Sequence, residues 1–442
     1  MIATVSTTMK PRITFFGLST FQALAMFRRG IFYTFLGIYL RSFLGLSVTE
    51  TTLFETIPML GNILFQTFVW GKLTDRFQLR RSFIIAGELA AGIGHVIMFI
   101  LHAGQADLRI AGWIIIWSLT VIEIFWSMSN IGWSAYISDV YEAAERNAIQ
   151  GKLASIGGAG RIIGALIGGG LYDKLGKTYP GWGFREGSIF LVAAAVMVIS
   201  VIPLFFMPEG GIKKSSIAGS NTTTVRHTGT AGNLRVFAVF LVAMLLINSG
   251  INSLAAIKGQ FLDLKDGFAA SASQIGFTAN IESLALILVG FWIGALGKKI
   301  GIQKLMVLGG ACGVLYLALY ALAPGLWLIY PASLLRGLSD GFLAASSYAF
   351  ASVLIPPEKR GRYFAAYNAT FMLSWGTSAT LVTGPIIDGI LAAGGDSVFA
   401  YRMGILSSAL TSLTGLVLIV LLLTKMQGNT RQSQSMDTLI GS

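Results

Sequence analysis

The chain has 442 residues, of which 54% are hydrophobic and only 12% charged, against about 25% charged in an ordinary soluble domain. A water-soluble body of this size could not cover its surface with so few charges, so most of that surface must face lipid. The formal net charge of +12 would point to nucleic acid in a soluble protein, but in so apolar a chain the basic residues sort by side of a membrane instead.

Each apolar stretch has roughly the 20 residues needed to cross about 30 Å of hydrocarbon. In chain order they cover residues 13–40, 49–70, 82–102, 110–137, 148–171, 187–207, 236–257, 272–296, 302–322, 327–353, 363–386 and 398–424. Ten are plain in the sequence, and two emerge once single buried charges are tolerated. None alternates polar and apolar residues as a lipid-facing β-strand does, so the expected fold is an all-α polytopic membrane protein of twelve helices. Met1–Thr14 lacks a small-residue cleavage site before a free mature domain, and the first helix is expected to be retained. The one cysteine, Cys312, falls in the ninth stretch, which excludes an internal disulfide framework and a cysteine metal cluster.

Between the stretches, twenty Lys or Arg fall on one side, among them Lys72, Arg76, Arg80, Arg81, Lys213, Lys298 and Lys425, and eight on the other, including Arg41, Arg109, Lys265 and Arg402. The positive-inside rule then places both termini in the cytoplasm. The longest polar interruption, 208–234, carries Ser, Thr and Gly and reads as a cytoplasmic linker. It divides an N-terminal transport half, 1–207, from a C-terminal half, 235–425, with a cytoplasmic tail over 426–442.

The halves echo each other. Gly71–Arg81 follows the second stretch and Gly294–Lys304 the eighth; Glu145-Arg146 follows the fourth and Glu358–Arg362 the tenth. Such duplication is the architecture of many secondary carriers, whose halves rock about a central cavity. Gly71, Leu73, Asp75, Arg76, Arg80 and Arg81 fit Gly-x-Leu-x-Asp-Arg-x-x-x-Arg-Arg/Lys, and with the 6+6 layout the chain resembles the major facilitator superfamily over nearly its whole length. The resemblance implies alternating access, with Gly71, Asp75, Arg76, Arg80 and Arg81 gating the cytoplasmic side. Departures are Lys298 where the second copy would repeat Asp75, Glu123 in the fourth helix where the family has an arginine, and no Gly-Pro in the fifth helix. Gly384-Pro385 occurs in the eleventh instead.

Asp75 is expected to accept hydrogen bonds at a neighbouring helix start, where anions are stabilised, and Asp139 to partner Arg76. Gly160, Gly164 and Gly168, at four-residue spacing, form a line of small surface for close helix packing. Arg161 interrupts that helix, and a lone arginine in hydrocarbon is costly unless paired; Glu282 in the eighth helix is its expected partner. Glu88 and His95 share a helix face, with structural hydrogen bonding favoured over a proton relay. Glu55 is a gate or a proton site.

Arg28 and Arg29 stand midway along helix one, about 100° apart, so one can line a cavity while the other pairs within the protein. Helices one, four and ten line the cavity in the resembled fold, which would gather Arg28, Arg29, Glu123, Arg336 and Asp340. Tyr33 and Trp126 join these candidates; Phe27, Phe32 and Trp133 are aromatic packing. Arg336 and Asp340, four apart, can pair on one face.

The function expected is a proton-linked secondary transporter of a small organic solute, an organic anion being favoured, with a multidrug or sugar carrier as the alternative and a non-transporting receptor third. Glu55, Glu123, Glu282 and Asp340 are the acids available for protons. The chain has no P-loop and no His-Glu-x-x-His pattern, so neither ATP drive nor an enzyme is expected. No cofactor, metal or nucleic acid enters; the partners are the solute and membrane lipids. The chain is expected to function as a monomer in a prokaryotic inner membrane.

Overall fold

The computed structural model describes residues 11–141, 143–177, 179–210, 234–355 and 360–440. Helix α1 (Pro11–Ile38) runs into a π-helical turn, π1 (Tyr39–Phe43), and α2 (Val48–Phe65) into π2 (Gln66–Trp70) and α3 (Gly71–Phe77). Then come α4 (Arg80–Ala103), α5 (Leu108–Val140), α6 (Ala143–Tyr172), the short α7 (Trp182–Arg185), α8 (Ser188–Ser200) and α9 (Ile202–Phe205). The second half of the chain has α10 (Leu234–Asp263), α11 (Ala272–Ile300), α12 (Ile302–Leu322), α13 (Leu326–Leu354), α14 (Arg360–Leu373), π3 (Ala379–Thr383), α15 (Gly384–Ala392) and α16 (Ser397–Ile440). No strand occurs among the described residues.

These elements fall into the twelve expected spans. Eight are long and apolar enough to cross a membrane on composition alone. Three of the remaining four carry polar features that depress their hydropathy, Arg28 and Arg29 in α1, Pro58 and Glu55 in α2, and Arg336 and Asp340 in α13, and the span formed by α14, π3 and α15 is broken into helices too short to cross alone.

Four expectations change. The stretch 363–386 is not one helix: α14 ends at Leu373 and the chain turns through Gly376, whose φ of +76° is a left-handed conformation that favours glycine. The stretch 187–207 is α8 and α9, separated at Val201 just before Pro203. Gly71–Phe77 and Gly294–Ile300, read as turns, are helical; the reversals occur at Gln78 (φ +55°) and Gly301 (φ +87°). The tail expected from residue 426 continues α16 as far as Ile440. Of the linker 208–234, residues 211–233 lie outside the described residues, as do 356–359 of the charged turn before helix eleven, and the side chains of Glu145 and Arg146.

Contacts group the chain into two compact units that part within the linker, except that one short segment of each half belongs to the other unit. Unit 1 comprises Met1–Leu46, Ile57–Thr223 and Ser271–Ser283; unit 2 comprises Ser47–Thr56, Thr224–Ala270 and Leu284–Ser442. The first turns of α2 thus belong to unit 2, and the first turns of α11 to unit 1.

Within unit 1, α6 lies along α1 on the glycine line expected from sequence. A Cβ at Gly160 would meet the carbonyl of Ala23, one at Gly164 the carbonyl of Phe27, and one at Gly168 the backbone of Ile31. Gly30 of α1 answers with an equally close approach to the Arg161 carbonyl. The backbones touch, so the interface is built from dispersion contacts rather than side-chain interdigitation.

Gly164→Ala is therefore expected to destabilise the protein by about 1–3 kcal/mol, the usual cost of overpacking. Gly151→Ala, on the same helix with nothing within 4 Å of the added methyl, is the control. Thermal unfolding of the purified variants checks this; equal melting of the two would contradict the packing assignment.

Candidate functional site

The candidate residues form two polar clusters, one in each unit. In unit 1, α1 supplies Arg28, Arg29 and Tyr33, and α5 supplies Glu123 and Trp126. Both arginines lie over the Trp126 ring, Arg29 at 4.9 Å and Arg28 at 5.8 Å from its centroid, where the negative face of the indole offsets part of the charge. Glu123, 5% exposed, accepts a hydrogen bond from Tyr33 Oη at 2.8 Å and one from Asn62 Nδ2 at 3.2 Å.

The two arginines differ. Arg28 is 1% exposed, and none of its three guanidinium nitrogens has a hydrogen-bond partner among the described residues. Its charge acts on Glu88 and His95 of α4 and on Arg29 and Tyr33 of its own helix. Arg29 is only half-buried and forms no salt bridge with a described carboxylate. Arg28 is therefore the more deeply buried arginine and Arg29 the less buried one.

Glu88 and His95 do not bond each other. Glu88 accepts from Ser129 Oγ at 2.9 Å, and His95 Nδ1 donates to the Ala91 carbonyl at 2.8 Å; both are structural hydrogen bonds. Of the aromatic candidates, Phe32 packs edge-on to His95, and Trp133 packs against Phe21. Arg161, on α6, lies close enough for its charge to act on Arg29, and Glu282, 7% exposed on α11, lies in the same unit.

The signature motif is also in unit 1. Arg80, not Arg76, takes Asp139: Arg80 Nε lies 2.9 Å from its Oδ2. The same guanidinium donates to the Thr74 carbonyl at 2.8 Å and to Gln78 Oε1 at 3.2 Å, pinning the left-handed residue that reverses the chain. Arg76 instead lies over the Phe77 ring. Asp75 does not cap a helix here; its side chain is 83% exposed, with Arg80 at 3.6 Å. Gly71 lets π2 pass into α3, where a Cβ would press on the Gln66 carbonyl. Arg81 is held by Glu209 at 3.2 Å, and both oxygens of Glu209 accept from Ser82, through its backbone N–H and its hydroxyl, at 2.8 Å. Glu209, absent from the sequence-derived candidates, thereby caps the start of α4.

Unit 2 holds the second cluster. Arg336 Nε pairs with Asp340 at 3.3 Å, as their spacing predicts, and Arg336 Nη2 donates to Asn252 Oδ1 at 2.9 Å. Asn252 in turn donates to Ser374 Oγ at 2.9 Å, where the eleventh span breaks. Glu55, on α2, belongs to this unit, and Arg336 is the charged group that acts on it.

Sequence reasoning also missed a carboxylate that caps a helix start from a distant part of the chain. The carboxylate of Asp388, on α15, accepts from the backbone N–H groups of Val48 at 2.9 Å and Thr49 at 2.8 Å, capping α2 with both oxygens. This is the chemistry expected of Asp75, performed by another residue. Gly384 permits it, since a Cβ there would meet Thr49. The hydroxyls of Thr52 and Thr56 each lie 2.8 Å from that of Thr380, and Gln260 donates to Thr51 Oγ1 at 2.8 Å while accepting from Tyr401. An acid three residues past Pro385 in an otherwise apolar stretch was the available signal. No group of three His, Cys, Asp or Glu among the described residues is placed to hold a metal ion.

Asp388→Ala should cost about 0.5–2 kcal/mol, as loss of a helix cap does, and should raise hydrogen exchange at the amides of Val48 and Thr49. Unchanged exchange there would remove the clasp assigned to Asp388.

Comparisons with known proteins agree with this architecture. The chain is 25% identical over 259 residues to the multidrug resistance protein MdtG of Citrobacter koseri, a match spanning 58% of this chain and 60% of that protein. It is 24% identical over 330 residues to MdtG of Proteus mirabilis, covering 73% of this chain and 74% of that one. A crystal structure of a mutant of the nucleoside transporter NupG superposes with a TM-score of 0.71 at 15% identity, covering 92% of this chain and 99% of that one. The Major Facilitator Superfamily family model matches residues 18–379 and 256–438. With twelve helical spans among its described residues, the chain is a multi-pass membrane protein belonging to the Major Facilitator Superfamily.

Proposed function

We propose that this transporter moves a small organic anion in a proton-linked, alternating-access cycle, and that Arg29 meets the anionic end of the cargo. The observation that carries the reading is the state of Arg29: half-buried, stacked on Trp126, and in no salt bridge with a described carboxylate. The acid nearest in role, Glu123, is engaged by Tyr33 and Asn62. A guanidinium so placed offers several directed donors to a carboxylate or phosphate. Trp126 and Tyr33 supply an apolar wall with polar tips beside it.

A second reading, export of chemically varied drugs, is favoured by the likeness to the MdtG proteins. In that reading Trp126 and Tyr33 do most of the binding and Arg29 stays structural. The screen that separates the two loads purified proteoliposomes with organic anions, sugars or cationic drugs, with and without a proton gradient. The anion reading expects gradient-stimulated movement of an anion. Arg29→Gln should lower its apparent affinity about 10–100-fold, the equivalent of one charge-assisted hydrogen bond of roughly 1.5–3 kcal/mol. Preferential transport of cations, indifferent to Arg29, contradicts it.

The cycle needs no cofactor, and one chain supplies both clusters. Both termini are cytoplasmic in this reading, in a plasma membrane of bacterial inner-membrane type. In a Cys312→Ala background, an impermeant thiol reagent applied outside intact cells should label Lys265→Cys and spare Lys298→Cys, both exposed positions. The reverse pattern would invert the topology.

A further inference from the structure

Among the described residues Glu55 has no hydrogen-bond partner, which sets it apart from three other acids of the spans. Glu88 accepts from Ser129, Glu123 from Tyr33 and Asn62, and Asp340 pairs with Arg336. Glu55 Oε2 is buried and has no hydrogen-bond partner among the described residues. A carboxyl group that holds no hydrogen bond can gain or lose a proton without breaking one, so its environment responds to the charge alone.

Its surroundings are set by three elements of unit 2. The break in the eleventh span faces it directly: a Cβ at Gly376 would meet Thr56 and, at 3.0 Å, the Cβ of Glu55. That break contributes hydroxyls, from Ser374, Thr377, Ser378 and Thr380, and no charge. The second element, α13, contributes Arg336, the charge acting on Glu55, and Asp340. Helix α10 contributes Asn252, which joins Arg336 to Ser374, and carries the buried Lys258 closer to its C-terminal end. On α2 itself the other acid, Glu50, accepts from the Ser47 backbone N–H at 2.8 Å.

We propose that Glu55 is the residue that carries the coupling proton, and that Arg336 is the cation for which ionised Glu55 competes with Asp340. This rests on the proton-linked reading above. With Glu55 protonated, Arg336 and Asp340 form a neutral pair bridged by Asn252 to the broken helix. When the Glu55 proton passes to water, the new carboxylate draws Arg336 toward α2. Arg336 then shares itself between two carboxylates, and the bond through Asn252 to Ser374 is pulled with it. Reprotonation of Glu55 from water on the other side restores the first pairing. One proton enters and one leaves per cycle, with no covalent step.

The test uses the full chain in lipid nanodiscs, and the proton itself is the probe. Infrared difference spectra between acid and alkaline pH should contain the carbonyl band of a titrating carboxyl group that disappears in Glu55→Gln and returns, displaced, in Glu55→Asp. Hydrogen exchange over residues 374–383 should change with pH by about tenfold beyond the intrinsic chemistry, within the range of coupling between linked sites, and lose that change in Glu55→Gln. Full retention of the band and of the pH response in Glu55→Gln overturns the assignment. In proteoliposomes, gradient-stimulated transport by both wild type and Glu55→Gln sinks the role of Glu55 while leaving proton linkage intact. A wild type indifferent to the gradient sinks proton linkage, and the inference with it.

Discussion

A charged side chain in hydrocarbon finds no water, and at the centre of a helix it costs about 2.5–3.5 kcal/mol even on permissive scales. That cost decides which helices must touch in this protein. Arg336 is tolerable in α13 because Asp340 lies one turn away and Asn252 reaches it from α10. Glu123 is tolerable in α5 because Tyr33 and Asn62 bring it hydrogens from α1 and α2. The same rule applied to backbone groups explains Asp388, which answers two amides at the start of α2 that no helical carbonyl can satisfy. The polar contacts are thus the specific joints of a structure otherwise held by uniform apolar packing. Arg28 is the exception, buried and, among the described residues, without a hydrogen-bond partner, with an indole and the charge and dipole of neighbouring side chains beside it.

The joints of unit 2 lie beside irregular backbone. The π-helical turns interrupt α1, α2 and the eleventh span, and in that last span π3 follows the left-handed Gly376. Irregular turns leave main-chain groups less tightly committed than a regular helix does, and they recur at functional sites. Ser374, at the start of this break, is bonded to the Asn252–Arg336–Asp340 network, and Gly376 presses on α2 beside Glu55. Chemistry and irregular backbone therefore occupy the same few residues of unit 2, whereas α1 and α6 in unit 1 pack backbone to backbone along the glycine seam.

Sequence patterning carried the architecture because twelve apolar runs of membrane-spanning length and a duplicated basic motif are one-dimensional signals. The Arg336–Asp340 pair and the glycine seam were legible for the same reason, since both depend only on spacing along one helix. What spacing cannot show is which helix faces which. Asp139 is adjacent to the motif helix and was assigned to Arg76, yet the left-handed turn at Gln78 swings Arg80 onto it instead. The helix-capping anion was anticipated in kind but placed on Asp75, because the partner of a helix start more than 300 residues away, as Asp388 is from Val48, leaves no local trace. The break at Gly376 was hidden by the apolar residues on both sides of it.

In the proposed cycle, proton movement at Glu55 is tied to cargo movement. Its most direct measurement is the internal pH of proteoliposomes, read with a trapped indicator, when an outward cargo gradient is imposed and no proton gradient exists beforehand. In a proton-linked cycle cargo flux displaces protons, changing the internal pH until a protonophore collapses it. Cargo flux of equal rate with no change in internal pH would contradict it.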